Sequence, residues 1–260
     1  MSKSAILGAE LTQRIVVAII LVVVAALELW LGGTAFWVMV TAAGVLMLSE
    51  FANLLQVGDK DRKLAMYALC IPLGIVAPIA AGLSFFAFGV LIGMAVAVAT
   101  VTRNKALGAG LVYVGLPVFA LLWLREQPGM EGLLLAFWAL AIVWATDIGA
   151  FFAGRAIGGP KIAPSISPNK TWAGLIGGCV AALLLGWALA HFAGLDWRLA
   201  LASPVLAVLA QVGDFFESWM KRRAGVKDSG RLLPGHGGVL DRLDGLVTSV
   251  PFAALLVAVL

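Results

Sequence analysis

Apolar runs of about 20 residues, separated by short polar breaks, recur along the whole chain and restrict its fold more than any other feature. A helix of that length crosses the hydrocarbon core of a bilayer with its backbone N–H and C=O groups paired inside the segment, which an open strand or loop cannot do. Nine runs stand out: Ile15 to Trp30, Thr34 to Ser49, Leu64 to Gly82, Phe85 to Val101, Ala106 to Leu124, Leu133 to Ala153, Ala173 to Phe192, Leu199 to Gly213 and Leu246 to Leu260. The second, eighth and ninth are short for a full crossing, so they tilt less, extend into flanking loops, or dip in without spanning. Composition agrees: of 260 residues 62% are hydrophobic and 12% charged, where a soluble domain has about 45–50% and about 25%. That balance excludes a water-soluble globule, a disordered chain, collagen and a disulfide scaffold. Cys70 and Cys179 both lie in apolar runs and read as small hydrophobes. The first run starts only after Arg14 with no cleavage pattern behind it, so it reads as a retained helix and not a secretory signal. The expected fold class is all-α: a polytopic integral membrane protein of about nine transmembrane helices.

If the nine spans alternate, the 18 Lys and Arg residues divide unequally between the two sides. Lys60, Arg62, Lys63, Arg103, Lys105, Arg155, Lys161, Lys170, Lys221, Arg222, Arg223, Lys227, Arg231 and Arg242 share one side, against Lys3, Arg14, Arg125 and Arg198 on the other. The positive-inside rule places the first side in the cytoplasm and the N-terminus outside. Lys3 and Arg14 pull against that placement, and an even number of spans with one re-entrant run is the alternative. No internal repeat and no inverted pair of broken helices is evident. Two long polar segments, residues 154–172 and 214–245, fall on the expected cytoplasmic side, whereas the first half has short turns. The chain therefore reads as a single membrane domain with a scaffold half, 1–132, and a working half, 133–260.

The 214–245 segment holds five of the 14 acids and six of the 18 bases. A run of charge is usually a solvated face. Here, however, Gly230, Pro234, Gly235, Gly237 and Gly238 are interleaved with the charges, which lets backbone amides approach a ligand as an anion-binding nest. Acids beside bases suit a divalent cation that shares a site with phosphates. Asp241 and Asp244, three apart, project from one face if their turn is helical, and taken alone they read as helix-start residues. With Asp214 alongside, hard carboxylate oxygens could hold one or two Mg²⁺ ions. Lys221, Arg222, Lys227 and Arg231 suit phosphate oxygens, while Arg223 suits anionic lipid headgroups. His236, in Gly-His-Gly-Gly, reads as a hydrogen-bonding or positioning residue.

Ser167-Pro168-Asn169-Lys170-Thr171-Trp172 precedes a helix start, where free amides and the dipole favour an anion. Equally, it is a capped helix start behind a turn, with Trp172 as an interface anchor. Asp147, deep in an apolar run, is a functional candidate because an ionisable group inside a span is costly. Glu28, near a span end, reads as reaching back to water.

The C-terminal half resembles the phosphatidate cytidylyltransferase family, also called CDP-diglyceride synthases. The resemblance rests on Ser218, Lys221-Arg222, Lys227-Asp228, Gly230, Pro234, His236-Gly237-Gly238, Asp241-Arg242 and Asp244, in register without a gap. The Ser167–Trp172 block and the Asp147 segment also resemble that family, whereas the first half matches only in being hydrophobic. The resemblance implies cytidylyl transfer from CTP to phosphatidic acid, giving CDP-diacylglycerol and pyrophosphate, at the cytoplasmic face of the inner membrane. It implies Mg²⁺, one ion or two, on Asp214, Asp241 and Asp244. Lys221, Arg222, Lys227, Asp228, His236 and Arg242 would then be catalytic, and Ser167, Asn169, Lys170, Thr171, Ser218, Gly237 and Gly238 would bind substrate. The expected partners are CTP, phosphatidic acid, the bilayer and a second copy of the chain, with no nucleic acid. Two other readings compete. Asp241-x-x-Asp244-Gly245 superficially resembles the acid motif of CDP-alcohol phosphotransferases, but the further acids of that motif are missing downstream. A transporter would explain Asp147 but not the clustered loops.

Overall fold

In the computed structural model the described residues are 3–80, 82–232 and 237–260, with side chains described from residue 16 onward except Ala18. They form nine helices: α1 (Lys3–Leu31), α2 (Gly33–Leu54), α3 (Asp59–Ile75), α4 (Phe85–Val101), α5 (Lys105–Arg125), α6 (Gly129–Ala156), α7 (Trp172–Ala193), α8 (Trp197–Ala224) and α9 (Leu240–Val259). Each expected apolar run lies within or overlaps one helix. Among the described residues six helices, α2 and α5 to α9, are long and apolar enough to cross a membrane. The expected count of nine crossings is thus supported for six: the described apolar stretch of α1, Ile19–Leu31, is shorter, and α3 and α4 have only 17 residues each. At about 1.5 Å per residue such a helix falls a few ångströms short of the ~30 Å hydrocarbon core.

Several expected boundaries are corrected. The second, eighth and ninth runs are not short, because α2, α8 and α9 span 22, 28 and 20 residues. Charge after Gly213 marks a change of surroundings and not the end of the helix. Glu, Met, Lys, Arg and Ala are good helix formers, so α8 continues to Ala224 and stops where Gly225 takes a left-handed φ of 72°. Conversely α3 ends at Ile75 although apolar residues continue, because Pro78 disfavours helical geometry at the residue before it. The all-α expectation also needs amendment. The 154–172 segment contains an antiparallel hairpin, β1 (Lys161–Ala163) with β2 (Ser167–Thr171), pairing Lys161 with Thr171 and Ala163 with Ser167.

The chain divides into two compact units, residues 1–112 with 226–242 and residues 113–225 with 243–260. In the first, the Trp37 indole N–H donates to the Leu73 carbonyl at 2.9 Å, tying α2 to α3. Ser84 caps α4 by accepting the Ala87 amide, and Asn104 caps α5 by accepting that of Leu107. Asp59 and Asp61 occupy the first turn of α3, where acids complement the helix dipole, and a hydrogen bond from Lys63 holds the Asp59 carboxyl below its ordinary range.

In the second unit α6 and α7 approach through small residues. A Cβ added at Gly178 would lie 2.9 Å from the Thr146 carbonyl oxygen, and one at Gly177 would collide with the Ala153 side chain. Close approach of this kind replaces the hydrophobic drive that lipid cannot supply. Trp138, fully buried, donates its indole N–H to the Ser203 hydroxyl at 3.0 Å, joining α6 to α8. Thr248 of α9 donates to the Leu209 carbonyl at 2.7 Å, and a Cβ at Gly213 would strike the Asp244 backbone, so α8 and α9 touch beside Asp214. Elsewhere large apolar side chains face outward, Phe85 at 97% and Phe192 at 80% exposure among them, as suits a surface met by lipid.

Candidate active site

Within the second unit, β2 brings Lys170 onto α8. Its ammonium forms an ion pair with Asp214 Oδ2 and lies 4.6 Å from the centre of the Phe215 ring. The other oxygen, Asp214 Oδ1, accepts the Ser218 hydroxyl at 3.3 Å, one helical turn on. Asp244 of α9 and Asp147 of α6 complete the set: Asp214, Asp147 and Lys170 all act electrostatically on the Asp244 carboxyl. Asp147, read from sequence as an acid inside a span, is exposed. Lys170 thus pairs with one carboxylate of this group, Asp214, and acts on a second, Asp244.

One turn further along α8, Lys221 pairs with Glu217 Oε2 at 2.5 Å, and Glu217 is completely buried. Lys221 is thus bound to a carboxylate that sequence reading did not single out. Nearby, Tyr113 meets the Phe216 ring edge-on at 5.4 Å between centres. Arg222 and Arg223 are exposed, and the Arg223 guanidinium lies 5.6 Å from the Trp219 ring centre. At the hairpin, Thr171 Oγ1 accepts the Gly174 amide at 3.1 Å, which realises the capped helix start. Ser167 is half-buried and Asn169 exposed, its carbonyl accepting the Lys161 ammonium at 3.4 Å.

Within the first unit, the glycine-rich loop is held by carboxylates of the chain itself. Asp241 Oδ2 accepts the Ser229 amide at 2.9 Å and the Gly238 amide at 2.8 Å. Gly237 turns with φ 87°, bringing that oxygen to 2.8 Å from where a Cβ would stand. Glu50 of α2 takes the Val239 and Leu240 amides. Four amides of this loop, those of Ser229, Gly238, Val239 and Leu240, are therefore occupied from within the chain. Asp241, expected beside Asp214 and Asp244 as a metal ligand, here clasps the loop at the start of α9. Lys227, Asp228, Arg231 and Arg242 are exposed. His236, Pro234 and Gly235 lie outside the described residues.

Among the described residues no group of three or more His, Cys, Asp or Glu lies at ligand spacing for a metal. Mg²⁺ commonly takes only one or two carboxylates and completes its shell with water and substrate phosphates. Asp214 and Asp244, hard oxygen donors in a group with surplus negative charge, fit that mode.

A family model described as the cytidylyltransferase family matches residues 12–260. The chain belongs to this family. As a cytidylyltransferase it is a nucleotidyltransferase, and the CDP-alcohol phosphotransferase and transporter readings fall away. Its relatives include a protein of Brucella suis biovar 1 (strain 1330) named phosphatidate cytidylyltransferase, 41% identical over 95% of this chain and 92% of its own. Proteins of the same name from Haemophilus influenzae and Staphylococcus haemolyticus are 45% and 42% identical over 47% and 55% of the chain, respectively.

Two buried acids of this cytidylyltransferase, Glu50 and Glu217, carry little signal in its sequence. Glu50 stands one residue beyond the second apolar run, which ends at Ser49, so it has the look of a loop residue and not of an acid inside a span. Glu217 lies within a charged segment, and its four-residue spacing to Lys221 is the one local signal of the pair.

Proposed function

We propose that the chain transfers the cytidylyl group of CTP to phosphatidic acid, releasing pyrophosphate and leaving CDP-diacylglycerol in the bilayer. The observation that carries this reading is the match along 95% of the chain to a protein named for that reaction. A phosphate oxygen of phosphatidate attacks the α-phosphorus of CTP in line. A P–O bond forms there, and the bond from that phosphorus to the bridging oxygen breaks, its electrons leaving with pyrophosphate. No protein nucleophile is required. The barrier is largely that of bringing anions together, so positioned charge is the expected remedy.

Lys170, drawn from Asp214 to the triphosphate, neutralises phosphate oxygens, with Ser218 left to hold the Asp214 carboxylate in place. Lys227, Arg222 and Arg242, all exposed, add cationic partners for the nucleotide and the leaving pyrophosphate. Mg²⁺, one ion or two, would be held by Asp214 and Asp244, supported by the charge of Asp147, and supplies charge neutralisation to the phosphates when bound. The acyl chains stay in the membrane while the headgroup meets the nucleotide at the surface. The excess of Lys and Arg on one set of loops supports placing that surface on the cytoplasmic side of the cell membrane.

The test is direct. Protein purified in detergent is given labelled CTP, phosphatidic acid and Mg²⁺, and CDP-diacylglycerol and pyrophosphate should appear in equal amounts. Folded protein that forms neither, across several detergents and divalent ions, would refute the assignment.

A further inference from the structure

Glu50 is 6% exposed near the C-terminal end of α2, in the half of the chain expected to serve only as scaffold. Its Oε1 accepts the Val239 amide at 3.0 Å, and its Oε2 accepts the Leu240 amide at 2.7 Å and the Ser229 hydroxyl at 3.2 Å. A buried carboxylate is costly unless it is hydrogen-bonded, and here all three donors come from one loop. Leu240 opens α9, so the charge also sits at the positive end of that helix dipole. The fit leaves no spare volume. A Cβ at Gly230 would collide with Glu50 Oε1 and lie 2.8 Å from its Cδ, and a Cβ at Gly238 would lie 2.5 Å from Oε2. Gly230 and Gly238 are therefore small so as to admit Glu50.

We propose that Glu50 is a positioning residue for cytidylyl transfer: its carboxylate fastens the two ends of the 229–240 loop to α2 and to each other. Lys227 and Asp228 immediately precede one fastened end, and Asp241 and Arg242 immediately follow the other. Holding both ends fixes these charged groups before substrate arrives, so the cost of ordering them is not charged to the reaction. Glu50 touches no substrate in this scheme and acts through the loop. The proposal rests on the activity assigned above.

The experiment compares wild type with Glu50→Gln, Glu50→Ala, Gly230→Ala and the Glu50→Ala/Gly230→Ala double variant, all full-length in detergent. Initial rates are measured with CTP and phosphatidic acid varied in turn, thermal midpoints are recorded, and amide hydrogen exchange is followed by peptide. Both Glu50 variants should lose tenfold or more in kcat, with KM for phosphatidic acid within twofold and the midpoint within a few degrees of wild type. Peptides covering 229–241 should exchange at least tenfold faster, while those from α6 and α7 are unchanged. Gly230→Ala, which forces its methyl against Glu50, should lower kcat in the wild-type background and cost less than twofold more in the Glu50→Ala background. A kcat within twofold of wild type in the Glu50 variants overturns the proposal, and so does an equal Gly230→Ala penalty in both backgrounds. If Glu50→Ala does not accumulate as folded protein, Glu50→Gln decides, since it keeps the shape of the side chain while turning an N–H₂ toward the loop donors. A wild-type protein that makes no CDP-lipid refutes the assigned activity instead, and the exchange data then report on loop fixing alone.

Discussion

Lys170, Lys221 and Arg223 are basic residues with different company, and their partners predict different consequences of removing them. Lys221 is mostly buried against the fully buried Glu217. Lys221→Met would leave that carboxylate short of its nearest cation, and breaking a buried pair from one side typically costs about 3–5 kcal/mol. The thermal midpoint in detergent should therefore fall, and Glu217→Leu in the same chain should restore most of it without restoring turnover. A midpoint unmoved by Lys221→Met would mean that the pair is solvated. Arg223 only covers the exposed Trp219 ring, a contact of about 0.5–1 kcal/mol at a surface, so Arg223→Ala should leave turnover and midpoint close to wild type. The acids of α9 separate in the same way. Asp241 accepts two loop amides, whereas the one hydrogen bond to Asp244 from a described donor is the amide of the next residue, Gly245. Asp241→Ala should lower the midpoint as well as the rate, while Asp244→Asn should cost about a hundredfold in turnover with the midpoint preserved. Equal midpoints for the two variants would contradict the loop-clasping role of Asp241.

Helices were legible in the sequence wherever burial in lipid imposed a long apolar run, and that accounts for the agreement from α4 to α7. The tail of α8 and the start of α9 were hidden because a helix leaving the membrane turns polar without ending. Asp214 to Ala224 and Leu240 to Asp244, where the proposed chemistry lies, are helix of this kind. The motif from Ser218 to Asp244 was legible residue by residue, but not the division of labour inside it, since Glu50 lies 179 residues from Ser229 in sequence. Side chains that meet only through tertiary packing leave no local pattern. The contact of α6 with α7 can be tested at this scale. Gly177→Val would drive a branched side chain into Ala153, and overpacking of this kind costs about 1–3 kcal/mol. Because α6 carries Asp147 and α7 follows directly on Lys170, turnover should fall with the midpoint, whereas Gly93→Val, with open space around its Cβ, should change neither. Activity retained at a lowered midpoint would show that α6 and α7 hold the fold but not the positions of Asp147 and Lys170.

For the whole molecule, α1, α3 and α4 stand outside the six long apolar helices found among the described residues, and the two 17-residue helices, α3 and α4, form a pair whose crossing is read at one connecting segment. α3 and α4 are joined by residues 76–84, and Lys60, Arg62 and Lys63 in the first turns of α3 match Arg103 and Lys105 beyond the end of α4. Basic residues at both outer ends mean that the pair either crosses twice or stays on one side, so the connecting segment is the informative place to probe. Leu83→Cys, in a chain with Cys70 and Cys179 replaced by Ala, should react with a membrane-impermeant maleimide in intact cells if both helices cross. Arg62→Cys and Lys161→Cys should react only after the membrane is opened, and Arg198→Cys should react in intact cells, as the distribution of basic residues requires. A Leu83 position that reacts only after opening would remove α3 and α4 from the crossing set. The six long helices would then be the scaffold to which α3 and α4 lie as a membrane-surface pair. Either result keeps Arg62 and Lys161 on one side, because that expectation depends on the charge of the loops and not on the length of α3 and α4.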